Sequence, residues 1–316
     1  MIVQANTRVD AVLLNPHANG GQAAHRWKKV LQAPAAKALG LEDAPCFQGP
    51  PSEAQAWVEG QLQAGAKRFL AAGGDGTVHL ALNALLDARS RVPGSHPSLG
   101  ALGLGSSNDF HKPYAPALGR ARIAGFPARV DFHHAFPHDV GEVLVDGERR
   151  LRFVINASAG VTAQANHFFN TAGAAFRLLK RVSVGAAILV AALSTFARYR
   201  HVDLDIAADG RTCGGARLSN LGIVKNPCFA GSFRYPAGPG PDSGSFGVFL
   251  LEGLGTLGLV RSLLGLSVGR FHGRSFRART LGLRSPLPFA LETDGEVCLT
   301  RSARFSVLPK EFPLCP

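Results

Sequence analysis

Leu70-Ala71-Ala72-Gly73-Gly74-Asp75-Gly76-Thr77 is the stretch on which the fold of this chain turns. Arg68–Ala72 (RFLAA) reads as a buried strand, and Val78, Leu82, Leu85 and Leu86 recur at the spacing of one apolar helix face. Between them lie three glycines, Gly73, Gly74 and Gly76. Backbone free of side chains at a strand-to-helix junction lets N–H groups approach an anion, and the helix dipole favours negative charge there. Asp75 would repel a phosphate, so it implies a metal ion, ordered water or a basic neighbour. A plain Asp-Gly βα turn has the same local sequence, and this loop alone does not separate the two readings.

The device recurs one strand later. Leu99–Leu104 opens into Gly105-Ser106-Ser107-Asn108-Asp109-Phe110, which also fits a helix start capped by Asn108 or Asp109. Consecutive strand ends of a parallel sheet face one crevice, so the two loops together favour a phosphate site. Upstream, Asp10–Leu14 is a short apolar strand closed by Asn15-Pro16 and Gly20-Gly21. Helical stretches follow through Trp27, Val30 and Leu31 and over Ala54–Ala64. Residues 1–138 therefore predict an α/β nucleotide-binding domain, a parallel sheet with flanking helices. From about residue 139 the segments are short, often alternating, and split by Gly, Pro or Asp-Gly. Residues 139–300 predict an antiparallel β-sandwich-like domain with helices near 173–197 and 256–268, and residues 301–316 are expected to return to the first domain. Thr293-Asp294-Gly295-Glu296 reads as a hairpin with an Asp-Gly turn that presents the Glu296 carboxylate.

The chain has 316 residues, with 46% hydrophobic and 18% charged, which excludes a disordered or collagen-like protein. Five scattered cysteines without a Cys-x-x-Cys pair argue against a disulfide framework or structural zinc and suit a reducing cytosol. No signal peptide is read at the N-terminus. The longest apolar run, Val182–Ala197, is shorter than the roughly 20 residues of a spanning helix, so no membrane span is predicted. Residues 1–140 hold 13 basic and 10 acidic side chains, and residues 141–316 hold 21 and 12. A polyanionic or membrane-surface partner is thus expected at the second part. Gly173–Arg200, with Arg177, Lys180 and Arg181, and Leu254–Phe271, followed by Arg274, Arg277, Arg279 and Arg284, mix basic and apolar residues. Each fits a helix on an anionic membrane or a core helix with a solvated face. No recognition-helix or zinc-finger pattern accompanies them, so nucleic acid is not expected as a partner.

Asn15-Pro16, Gly73–Thr77, Gly105–Phe110, Asp139-Val140-Gly141-Glu142, Asn156–Gly160 and Asp294-Gly295-Glu296 occur in that order. The set resembles the diacylglycerol kinase catalytic-domain family, which includes soluble bacterial lipid kinases and sphingosine kinases. The resemblance implies that Asn15, Pro16, Gly73, Gly74, Asp75, Gly76, Thr77, Ser106 and Asn108 hold ATP. It implies that Asp75, Asp109 and Asp139 organise water and Mg2+, with Asp242 a ligand of a second magnesium. Glu296 would be the proton acceptor for the lipid hydroxyl, with Asp294 and Asp75 beside it in the catalytic set, and catalysis would occur in a cleft between the domains. Phosphoryl transfer is mostly positioning and charge neutralisation, so this division of labour is chemically sufficient. Three features depart from the family pattern. The first loop reads Asn15-Pro16-His17-Ala18-Asn19-Gly20-Gly21, so its glycine comes one position late. No Thr occurs in Cys46–Pro50 to contact the adenine or ribose, and Ser243 stands in the second Asp position after Asp242.

The reading is an ATP- and Mg2+-dependent lipid kinase acting on a diacylglycerol-like or sphingoid hydroxyl. It is placed in the cytoplasm, peripheral at the inner membrane surface, and a homodimer is compatible with it. A soluble-metabolite kinase of the NAD-kinase type and a catalytically inactive nucleotide- or lipid-sensing protein are the alternatives.

Overall fold

The computed structural model describes residues 8–112, 121–171, 190, 194–195, 199–214 and 217–316. Its first strands are apolar runs that the sequence marks. β1 (Ala11–Leu14) is buried throughout, and β3 (Arg68–Gly73) and β4 (Ser98–Gly103) are buried but for their first residues. With β2 (Cys46–Phe47) they pair in parallel in the order β2-β1-β3-β4, Val12 opposite Leu70 and Leu70 opposite Gly100. The helices cover this sheet through one face each. α1 (Gln22–Leu31) buries Ala23, Trp27 and Val30, α2 (Pro34–Ala38) buries Ala36, and α3 (Ala54–Gln63) buries Ala54, Val58 and Leu62. α4 (Asp75–Arg91) buries Val78, Leu82, Leu85 and Leu86. These are the i, i+3, i+4 spacings that an amphipathic helix needs.

The parallel strands also take on an antiparallel hairpin. β5 (Arg122–Ile123) and β6 (Phe126–Arg129) form a hairpin through Ala124 and Gly125, both at positive φ, and β6 runs antiparallel to β4. The chain divides into two compact units, Met1–His138 with Lys310–Pro316, and Asp139–Pro309. The return thus begins at Lys310 rather than at 301, because residues 297–306 are taken up in pairing within the second unit. Leu314 lies parallel to Leu99 of β4, and Arg129 fastens this tail. Its Nε donates to the Cys315 carbonyl at 2.7 Å, Nη1 donates to the Phe110 carbonyl at 3.1 Å, and the guanidinium lies 4.3 Å from the Phe110 ring centroid.

Among its described residues the second unit is built of antiparallel pairs. β7 (Phe136–Val145) and β8 (Arg149–Phe153) form a hairpin, and β9 (Asn156–Gly160) leads into α5 (Val161–Thr171). β10 (Asp205–Ala208), β11 (Arg211–Gly214), β12 (Leu218–Val224), β13 (Cys228–Phe229), β14 (Phe233–Arg234) and β15 (Phe246–Glu252) precede α6 (Thr256–Ser267). β16 (Arg274–Ala278), β17 (Thr280–Thr293) and β18 (Glu296–Leu314) complete the chain. The order is β16-β15-β12-β9-β17-β18. β17 pairs with β10 over Leu281–Arg284 and with β9 over Leu291–Thr293. It changes partner across a register shift at Ser285-Pro286-Leu287-Pro288, where the prolines lack the N–H a regular ladder requires. The strands enclose a core with Phe153 stacked on Phe246 and edge-on to Phe305. α6 lies at the expected 256–268. The helix expected near 173–197 falls almost wholly outside the described residues. All five cysteines are free thiols.

Replacing Arg129 by Met strands the Phe110 and Cys315 carbonyls inside the first unit, and should cost about 2–4 kcal/mol. Urea unfolding of Arg129→Met that matches the parent would show that this guanidinium does not fasten the C-terminal tail.

Candidate active site

The two glycine loops of the first unit meet backbone to backbone. A Cβ on Gly105 would lie 2.5 Å from the Cα of Gly74, and one on Gly73 would lie 2.1 Å from Oγ1 of Thr77. The Leu104 and Gly105 N–H groups both donate to the Gly73 carbonyl, at 2.7 and 3.0 Å. Asn108, at φ +50°, closes its own loop: Gly105 N–H donates to Asn108 Oδ1 at 3.0 Å, and Asn108 Nδ2 donates back to the Gly105 carbonyl at 3.1 Å. Asp75 Oδ1 accepts the Phe110 N–H at 2.9 Å and bridges the loops. The first bonds within α4 run from Thr77 and Val78 N–H to the Gly74 carbonyl, so the amides before them lie at an open helix N-terminus. Gly76 and Ser106 are exposed, and the buried Thr77 hydroxyl has no hydrogen-bond partner. The arrangement suits a phosphate: bare backbone at a helix N-terminus.

The Asn15-Pro16 loop joins this group. Asn15 N–H donates to the Ala72 carbonyl at 3.0 Å, and its Oδ1 accepts the His17 N–H at 3.0 Å. Asn19, Gly20 and Gly21 follow at φ +53°, +65° and +89°. Asn19 stands where the resembled family has glycine, and asparagine tolerates the left-handed region, so the late glycine leaves the turn intact. Arg26 of α1 reaches the second loop. Its Nη1 donates to the Leu104 and Gly105 carbonyls at 3.0 and 2.9 Å. Sequence reasoning missed it, because an arginine in an ordinary amphipathic helix carries no local mark of what it reaches.

The acids are engaged. Asp109 is buried and pairs with Lys112 at 2.6 Å. In the second unit the Asp139 side chain is sealed, and its Oδ2 accepts from Lys225 Nζ and Gly244 N–H, both at 2.7 Å. Lys225 Nζ also donates to the Ser245 and Gly240 carbonyls, at 3.0 and 3.3 Å. Burial pulls the Lys225 pKa down, and Asp139 opposes the shift. The cation seated against the 240–245 loop is thus a lysine ammonium, with Asp242 exposed beside it. Among the described residues no group of three or more His, Cys, Asp or Glu side chains is placed to hold a metal ion.

The expected hairpin is present. Thr293 pairs with Glu296 across Asp294 and Gly295, both at positive φ (+46° and +97°), as a two-residue hairpin turn requires. The Asp294 carboxylate is buried and accepts the N–H groups of Val154, Ile155 and Asn156, each at 3.0 Å. The carboxylate thus braces the turn against the 154–156 backbone. Glu296 is exposed at the turn. Buried Glu292, unnoticed in the sequence, accepts the Gly295 N–H at 2.6 Å and the Ser158 hydroxyl at 2.7 Å, and so holds the turn that carries Glu296. His111 lies beside the second loop with its pKa pushed down to about 3 by burial, then by Arg129 and Lys112.

Residues 11–121, about a third of the chain, match the family model of the diacylglycerol kinase catalytic domain. That span holds all three loops of the first unit, and the match bears out the resemblance carried by the motifs. Among solved structures, a diacylglycerol kinase from Bacillus anthracis str. Sterne is similar at 19% identity, TM-score 0.70, over 98% of each chain. A second crystal structure, of a candidate diacylglycerol kinase from the same organism, gives 19% identity and TM-score 0.70 over 100% of this chain and 98% of that one. At this identity they share the fold, an α/β region with an antiparallel β region after it. No curated protein matches the chain.

Two measurements follow from this geometry. Asp294→Ala leaves three N–H groups without their acceptor and should cost about 3 kcal/mol, whereas Glu296→Ala should stay within about 0.5 kcal/mol. Equal losses in urea unfolding would contradict the brace. His111 is held neutral in the fold, so the unfolded chain binds the extra proton between its ordinary 6.5 and about 3. Stability is then full above pH 6.5 and falls as pH drops through that window, by up to about 1.4 kcal/mol per pH unit. His111→Gln should flatten the profile between about pH 6.5 and 4.5, above the range where carboxylates titrate.

Proposed function

We propose that the chain is a lipid kinase, transferring the γ-phosphoryl group of ATP, taken up as its magnesium salt, to a hydroxyl of a diacylglycerol-like or sphingoid lipid. The carrying observation is the close approach of the Gly73–Thr77 and Gly105–Asp109 loops, inside the span that matches a kinase catalytic domain. In this reading the amides of the Gly73–Thr77 loop bind phosphate oxygens, and the exposed Ser106 hydroxyl reaches the nucleotide. Asp75 and Asn108 keep the loops in register, and Arg26 stiffens their far side. The lipid oxygen forms a bond to the γ-phosphorus as the bond to the β–γ bridging oxygen breaks, ADP leaves, and Glu296 takes the hydroxyl proton. A carboxylate on an exposed, braced turn suits that acceptor. The reaction belongs at the cytoplasmic membrane surface, where such an acceptor resides.

Labelled ATP with Mg2+ and mixed micelles containing diacylglycerol and sphingosine, with NAD in a parallel tube, tests the reading. Label should appear in lipid. Glu296→Ala should lower turnover by about 10²–10⁴-fold with stability kept, and Gly105→Ala, by moving one loop about 1 Å, should lower it about 100-fold. Label in NADP instead, or bound ATP without any transfer, would overturn it in favour of a metabolite kinase or a sensor.

A further inference from the structure

α6 carries apolar residues on both of its sides. Leu259 and Leu266 are buried, and Val260 and Leu263 pack beside them. The opposite side exposes Leu257 (83%), Leu264 (65%) and, just past the helix end, Val268 (64%). With Arg261 these fall at i, i+4, i+7 and i+11, one continuous stripe. Scattered exposed leucines are ordinary, but an aligned row on a helix whose one charged residue is Arg261 is not. Residues 253–291 contain six arginines, Arg261, Arg270, Arg274, Arg277, Arg279 and Arg284, and no Asp or Glu. All six are exposed, and Arg274 shares Glu252 at 3.6 Å.

We propose that this face of α6, with Arg261 and Arg270 beside it, docks on an anionic lipid surface. Leu257, Leu264 and Val268 enter the boundary between head groups and acyl chains, and the guanidinium groups meet lipid phosphates. Charge selects this occupant. A two-fold contact between copies of the face would set arginine against arginine, with no acid in 253–291 to meet them. The inference extends the lipid-kinase reading by naming the surface, and it rests on that reading only for the choice of a membrane as the anion.

Co-sedimentation of the full chain with vesicles of phosphatidylcholine alone, and of about three parts phosphatidylcholine to one of phosphatidylglycerol, tests it. Binding is expected on the mixed vesicles and should fade between about 0.05 and 0.5 M salt. Arg261→Ala should weaken it about fivefold and Leu257→Ser with Leu264→Ser about tenfold, with circular dichroism and melting unchanged. Glu296→Ala should bind as the parent does, so loss of transfer and loss of docking are read apart. Equal binding by the parent and the double-serine variant, or no preference for the anionic vesicles, overturns the proposal. So does a dimer that the double-serine variant dissolves while vesicle binding stays unchanged.

Discussion

The first unit depends on two peptide segments approaching more closely than any side chain permits. With a Cβ at Gly105, the Gly74 backbone would have to retreat by about an ångström to restore ordinary contact, and three bonds depend on its present position. Leu104 and Gly105 N–H would lose the Gly73 carbonyl, and Asp75 would lose the Phe110 N–H. The open end of α4 owes its position to the same approach, because Gly74 is both the contact and the residue that caps the helix. A backbone site of this kind is rigid without being charged. This pair of loops lies in the unit with the smaller basic surplus of a chain whose formal charge is +12.

Acidic residues in motifs invite a reading as ligands or bases, and here burial separates the two uses. Asp294 spends its oxygens on three consecutive N–H groups, which fixes the corner before β9 against the β17–β18 turn. Asp139 is neutralised by Lys225, and the ammonium at the same time satisfies two carbonyls of the loop around it. Removing water from a carboxylate is tolerable only with such partners, so a sealed, fully bonded acid is poorly suited to exchange ligands. Glu296 is the opposite case. It is solvated and unburied, and its position comes from neighbours: Gly295 is held by Glu292, and Asp294 by the 154–156 backbone.

What was legible in the sequence was local. The strand–glycine–helix junctions, the apolar faces of α3 and α4, the Asp294-Gly295 hairpin and the helix over 256–268 follow from periodicity and turn chemistry, which act within a few residues. The partners of those junctions were not legible. Arg26 reaches carbonyls 78 and 79 positions away, Lys225 meets an acid 86 away, and Arg129 meets a carbonyl 186 away. Nothing in the local sequence marks an arginine that will be buried from one that will be solvated. The β5–β6 hairpin was missed for a different reason: strands of two and four residues are too short to show alternation, although Gly125 at φ +85° was available as a turn signal.

The same distinction between committed and uncommitted charge sharpens the meaning of the basic surplus. Lys225 and Arg129 are buried and bonded, and Arg26 is held at the loop. Neither of the two buried groups can meet a partner. The six arginines of residues 253–291 are at the surface of the second unit, in a stretch without acids, next to leucines that the fold leaves uncovered. Electrostatic attraction of such a surface acts over about a Debye length and is not directional, whereas the leucine stripe acts only on contact. Together they favour approach from a distance followed by shallow insertion, a two-step association that neither the net charge nor the apolar row would produce alone.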